Sequence, residues 1–124
     1  YEFDTVLTTF NPTTKRRDYE EKVLPLANRK QMGILAMKVM GGALGSLATG
    51  NPIKNDGKPH HDDAARQAAA GDLIRYVLGL PLAVAVVGMS SLDQLRINVA
   101  AARKTPLDEQ QRKALEKRMA GATP

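Results

Sequence analysis

Three short apolar runs alternate along the chain with stretches of helical periodicity. Phe3 to Phe10 is rich in β-branched and aromatic residues and ends at Asn11-Pro12, a turn signal, which predicts a strand near 3–10. A helix near 18–31 follows, with Asp18 as its cap and Glu20 and Glu21 at its positive end. Pro25 inside it cannot donate to the carbonyl of Glu21 and should kink it. Gly33 opens a second strand near 33–40, Ile34-Leu35-Ala36-Met37-Lys38-Val39-Met40. A loop over 41–61 holds five of the ten glycines and is far longer than the ~4–6 residues usual between elements. The alanine-rich helix near 62–78 turns Ala65, Ala69, Leu73 and Val77 to one side, with Leu80 at its exit, and Gly79 and Pro81 close it.

The third run, Leu82 to Gly88, reads as strand 82–88 feeding directly into a helix near 92–103. A last helix near 106–119 has Thr105 as cap and Pro106 at its first position. Its few apolar positions, Leu107, Ala114, Leu115 and Met119, predict a surface helix that frays beyond Gly121. The order strand–helix repeated three times implies an α/β fold with parallel strands joined by right-handed crossovers. In the final strand Ala83, Ala85 and Val87 alternate with Val84 and Val86, which suits a tapered barrel interior on the one side and a helix layer on the other. A complete (β/α)8 barrel needs eight units, and this pattern supplies three. The expectation is a partial TIM barrel with two open strand edges and a bare inner face.

Composition narrows the function classes. The chain has 124 residues, 43% of them hydrophobic and 25% charged, as an ordinary globular domain does. No apolar stretch approaches the ~20 residues of a membrane helix, and the opening Tyr1-Glu2-Phe3-Asp4 has no signal-peptide character. Without cysteine there are neither disulfides nor thiolate metal sites, which fits a cytoplasmic protein. The net charge of +5 comes from basic residues interleaved with acids and accompanied by two Phe and three Tyr, a solvated helix face rather than a nucleic-acid surface.

The junction Val87-Gly88-Met89-Ser90-Ser91 carries the candidate chemistry. A strand running into a helix N-terminus presents unpaired N–H groups and a positive dipole end, which suit a phosphate. Gln94 and Asn98 follow four residues apart and share one helix face. The same residues also read as plain capping, since Ser91 and Gln94 have the spacing of a capping box. His60-His61-Asp62-Asp63 reads as a solvated loop and cap rather than a metal site. The glycine-rich loop lacks the Gly-Lys-Ser/Thr ending of a P-loop, although Lys54 and Lys58 within it could approach phosphate. The five methionines read as core filler.

In the order Phe3-Asp4-Thr5-Val6-Leu7 to Phe10-Asn11-Pro12, then Gly33-Ile34-Leu35-Ala36-Met37-Lys38, then Val87-Gly88-Met89-Ser90-Ser91 with Gln94-Leu95 and Asn98, the sequence resembles the bacterial aldo-keto reductases. The resemblance implies the C-terminal part of such a barrel: its last three βα units plus a C-terminal surface helix. It also implies NADP as cofactor, with NAD as the alternative, and a small carbonyl compound as substrate of the intact protein. Phe10 would stack on the nicotinamide, or else serve the core. Gly41 and Gly42 would flank the pyrophosphate. Gly88, Met89, Ser90 and Ser91 would meet the adenosine phosphate, and Gln94 and Asn98 the adenine. The family's catalytic Asp, Tyr, Lys and His cannot be assembled here. Phe3-Asp4-Thr5 echoes the motif around the catalytic Asp, but Thr9 stands where its Tyr would be. The chain alone is therefore expected to be inactive. The alternative is a non-catalytic module that self-associates, or pairs with a partner, through open strand edges.

Overall fold

A computed structural model of the chain describes residues 2–13, 17–41, 47, 48 and 69–120. Strand β1 (Thr5–Thr9) pairs in parallel with β2 (Gly33–Met37), which pairs in parallel with β3 (Val84–Ala85), giving the sheet order β1-β2-β3. The helices are α1 (Leu24–Arg29), α2 (Ala70–Leu78), α3 (Leu92–Ala102) and α4 (Glu109–Arg118). A π-helical turn, Tyr19–Val23, runs straight into α1.

That π turn replaces the kinked helix expected over 18–31. The Leu24 N–H donates to the Tyr19 carbonyl, five residues back, and Pro25 then falls in the first turn of α1, where a missing N–H costs nothing. Asp18 is itself helical and makes no side-chain cap, so the expected capping role is not realised. Leu24 and Ala27, three apart, bury the inner face of α1.

The sheet has two unlike faces. Ile34 and Ala36 of β2 are buried, with Val6 and Ala85 packed against the same core. On the opposite face the register aligns Leu7, Leu35 and Val84 in one row, and Leu7 and Val84 are 54% and 47% exposed. One side of the sheet is thus roofed by helices and the other carries bare apolar side chains. The alternation in residues 83–87 predicts two unlike faces, but with the small residues on the open one; instead Val84 and Val86 are on the open side, and Ala85 and Val87 pack against the core.

All three strands are shorter than expected: β1 covers Thr5–Thr9 of the expected 3–10, and β2 and β3 are shortened for one shared reason. β2 stops at Met37 instead of 40 because Lys38 adopts a left-handed backbone, φ 53°, and turns the chain. β3, expected over 82–88, has only Val84–Ala85 in its ladder. Flanking bonds run from Ala83 N–H to the Ile34 carbonyl (2.8 Å) and from Val86 N–H to the Ala36 carbonyl (2.7 Å). Past Val86 its one neighbour has turned away.

The remaining helices also differ from expectation at their ends. Ala69 is extended and α2 begins at Ala70, so the expected helix over 62–78 is seen here from its second half on; Ala65 lies outside the described residues and Ala69 is exposed. Leu73 and Val77 are fully buried, as their spacing implies, and Leu80 nearly so. α4 starts after Asp108, not at Pro106. Arg75 Nε donates to the Thr105 carbonyl (2.8 Å) and the Leu107 N–H to the Arg75 carbonyl (3.1 Å), which holds 105–107 against α2 before a helix can form. A complete capping box between Asp108 and Gln111 then opens α4. α4 is anchored more deeply than a surface helix: Leu115 and Met119 are buried, and Leu107 just before it. Residues from Gly121 on, where fraying was expected, are outside the described set.

Candidate functional site

β1, β2 and β3 are parallel neighbours, so their C-terminal ends lie side by side along one edge of the sheet. Phe10, Gly41 and Gly88 each follow one of those ends. Candidates distant in sequence are gathered there by topology, at the end where parallel α/β sheets carry their ligands.

The segment after β3 is the most open part of this edge. Gly88 has free space where a Cβ would stand, with nothing within 4 Å. Met89, Ser90 and Ser91 are exposed, while Gln94 and Asn98 are half-buried on successive turns of α3. Ser91 is extended (φ −146°, ψ 157°) and its Oγ accepts from the Gln94 N–H at 3.2 Å. The expected reciprocal half of the box is shifted by one residue. Gln94 Oε1 accepts from the Ser90 N–H (2.7 Å) and Ser90 Oγ (3.1 Å), not from the Ser91 N–H. The N–H groups of Ser91, Leu92 and Asp93 are left without a hydrogen bond among the described residues. The side-chain amide of Gln94 retains its NH2 donors, its oxygen being engaged. Asp93 and Arg96 pair at 3.0 Å on the exposed side of the first turn. Three convergent amides and a dipole end can hold an oxyanion.

After β2 the edge is closed by a buried polar network centred on Asn11. Asn11 Oδ1 accepts from the Thr13 N–H (3.2 Å) and Thr13 Oγ1 (2.7 Å), and Asn11 Nδ2 donates to the Lys38 carbonyl (3.1 Å). Asn11 and Thr13 are both buried. The signal was present in Asn11-Pro12-Thr13, an Asx-turn sequence. The Lys38 carbonyl also accepts from the Gly41 N–H (2.9 Å), and Gly41 takes φ 87°, where a side chain would be strained. Gly42 lies outside the described residues. Phe10 is 1% exposed and belongs to the core with Ile34, Ala36 and Val39. Of its two readings the structure displays the core one.

A second polar cluster lies away from this edge. The Tyr76 hydroxyl is 2.8 Å from Glu20 Oε2 and 2.8 Å from Glu116 Oε1, and accepts from Arg17 Nη1 at 3.0 Å. Arg17 pairs with both Glu20 and Glu116. Burial, together with both carboxylates, pushes the Tyr76 hydroxyl far above the ordinary tyrosine range. Burial works against the charge on Arg17, but Tyr76, Glu20 and Glu116 outweigh it and raise its pKa. Arg17 and Glu20 are linked by helical i,i+3 spacing, but no local rule joins them to positions 76 and 116.

Among the described residues no group of three or more His, Cys, Asp or Glu is placed to hold a metal ion. His60, His61, Asp62 and Asp63 lie outside those residues. No described helix is long and apolar enough to cross a membrane.

No protein-family model matches the sequence, and neither does any curated protein. Among solved structures the fold is similar to that of the aldo-keto reductase AKR11C1 from Bacillus halodurans in its apo form. The TM-score is 0.67 at 20% identity, over 98% of this chain and 45% of that one. The chain therefore has the fold of part of an aldo-keto reductase barrel, and spans less than half the length of the reductase it matches.

Proposed function

We propose that this chain is the cofactor-binding C-terminal part of an aldo-keto reductase-like oxidoreductase, comprising its last three βα units and a C-terminal helix. The intact protein would reduce a small carbonyl compound by hydride transfer from NADP(H), with NAD as the alternative cofactor. One observation carries the reading: the N–H groups of Ser91, Leu92 and Asp93 stand open at the N-terminus of α3, directly after a parallel strand. Gly88 leaves room for close approach, and Ser90 and Ser91 add hydroxyl donors.

In this reading the nicotinamide cofactor supplies the hydride, and the residues of this chain bind and orient it. Gly88, Met89, Ser90 and Ser91 take the adenosine phosphate. Gln94, through its free NH2, and Asn98 take the adenine, and Gly41 and Gly42 border the pyrophosphate. Phe10 backs this edge from the core. The acid–base residues lie in the part of the barrel beyond this chain, which alone should turn over no carbonyl.

Calorimetric titration with NADPH and with NADH tests this directly. NADPH binding that weakens at least about tenfold in Ser90→Ala/Ser91→Ala supports the reading, as the loss of two phosphate hydrogen bonds implies. Binding by this chain alone is expected to be weak or absent, and by the intact protein micromolar or tighter; affinity of the intact protein unchanged by that double substitution, or no binding by it, overturns the reading.

A second reading is favoured by the sheet itself, whose open face exposes Leu7, Val84 and Val86. In it the chain is a non-catalytic module that associates through its uncovered strands. A nucleotide-independent, well-defined oligomer in sedimentation would select it.

A further inference from the structure

α4 is tied to the rest of the chain at three places. Leu115 and Met119 are buried in the common core. Arg112 Nη1 donates to the carbonyl of Gly79 at the end of α2 (2.8 Å), and to that of Leu107 just before α4 (3.2 Å). Glu116 reaches the hydroxyl of Tyr76, which is wholly buried, and the guanidinium of Arg17. The third tie differs from the others in its charge balance. Two carboxylates, Glu20 and Glu116, converge on one hydroxyl that has a single proton, and among the described residues Arg17 is the cation paired with them. Glu21, 3.9 Å from Arg17 Nε and largely exposed, adds negative charge at the margin. The Tyr76 proton can serve one carboxylate at a time, so the other depends on Arg17. Glu20 stands on the same helical stretch as Arg17, three residues away, whereas Glu116 comes from α4, 99 positions along the chain.

We infer that α4 is a releasable strap, with Glu116 as the group that pins it to Arg17 and Tyr76, and with Glu20 as a competitor that limits how tightly it is held. The two carboxylates are geometrically alike around the hydroxyl yet opposite in effect. Neutralising Glu116 removes the charge that draws α4 to Arg17. Neutralising Glu20 frees both the Tyr76 proton and the Arg17 guanidinium for Glu116. Release of α4 would uncover Tyr76 and the core side chains around it.

Amide hydrogen exchange on the full chain at neutral pH separates these effects. In Glu116→Gln the α4 amides should exchange about tenfold faster while β1 and β2 keep their protection, since one charge-assisted tie is lost and the sheet is untouched. In Glu20→Gln the α4 amides should exchange no faster than in the parent. Equal acceleration by both substitutions overturns the inference, as does an unchanged α4 in Glu116→Gln, or acceleration of the sheet together with α4. Should Glu116→Gln not fold, Tyr76→Phe keeps the ring and removes the contested proton. Faster exchange confined to α4 then supports the strap, and unchanged exchange overturns it.

Discussion

Residues away from the candidate site hold the helices together. Gly79 is one: a Cβ there would lie 2.6 Å from the Leu107 carbonyl oxygen, a backbone atom that cannot swing away. The turn after α2 and the approach to α4 are fitted around that missing methyl. Gly79→Ala should therefore destabilise the chain by about 1–3 kcal/mol, the usual cost of overpacking, despite the lower chain entropy of alanine when unfolded. Gly88→Ala, with open space at its Cβ, should leave thermal stability within about 0.5 kcal/mol. Parallel thermal melts of the two variants check the contrast. Tyr76 gives a titration with a definite sign. Its folded pKa is raised by burial and by Glu20 and Glu116, so above pH ~10 the unfolded chain loses a phenolic proton that the folded chain keeps. Stability that Tyr76 contributes is complete below that pH and falls as pH rises past it. Chemical denaturation should show the gap between parent and Tyr76→Phe narrowing from pH 9 to pH 11.

At the scale of elements, the identity and order of strands and helices were legible in the sequence and their ends were not. Apolar runs and turn residues placed all three strands, because strands of a parallel sheet meant to be covered on both faces need such runs. The ends depend on partners distant along the chain. β3 is cut short by the turn of β2 at Lys38, and the start of α4 is delayed by Arg75 holding Thr105 and Leu107. Thr105-Pro106 and Asp108-Gln111 are both good helix starts, and only a contact 30 residues back decides between them. At the candidate site, Ser91 was legible as a cap from local spacing. The shift of Gln94 from Ser91 to Ser90 was not, since it turns on one rotamer. α4 shows the limit most clearly: counting apolar positions put it on the surface, yet Met119 is fully buried. Met119→Ala should cost about 2–5 kcal/mol, as for any large side chain deleted from a core. A merely surface-lying helix would lose under about 0.5 kcal/mol, and urea denaturation distinguishes the two.

For the whole molecule, the decisive feature is that its sheet is roofed on one side only. Leu7, Leu35 and Val84 form a continuous cross-strand row on the open face, and Val86 extends it along β3. α3, packed against α2, separately exposes Leu92, Leu95, Ile97 and Val99. Scattered exposed leucines need no explanation, but a registered row on a parallel sheet does, because such sheets are covered on both faces in stable proteins. The structural match to part of a longer barrel accounts for the row as the lining that further strands would enclose. If so, these side chains contribute little to the packing of this chain by itself and much to its tendency to associate. Leu7→Thr/Val84→Thr puts a β-branched residue at both strand positions and reduces the apolar surface. The double variant should retain its thermal transition to within about 1 kcal/mol, since neither side chain is buried. Sedimentation velocity should at the same time show a shift toward the monomer. A large loss of stability with unchanged association would mean that the open face is covered from within the chain, and the partial-barrel account of the fold would have to be given up.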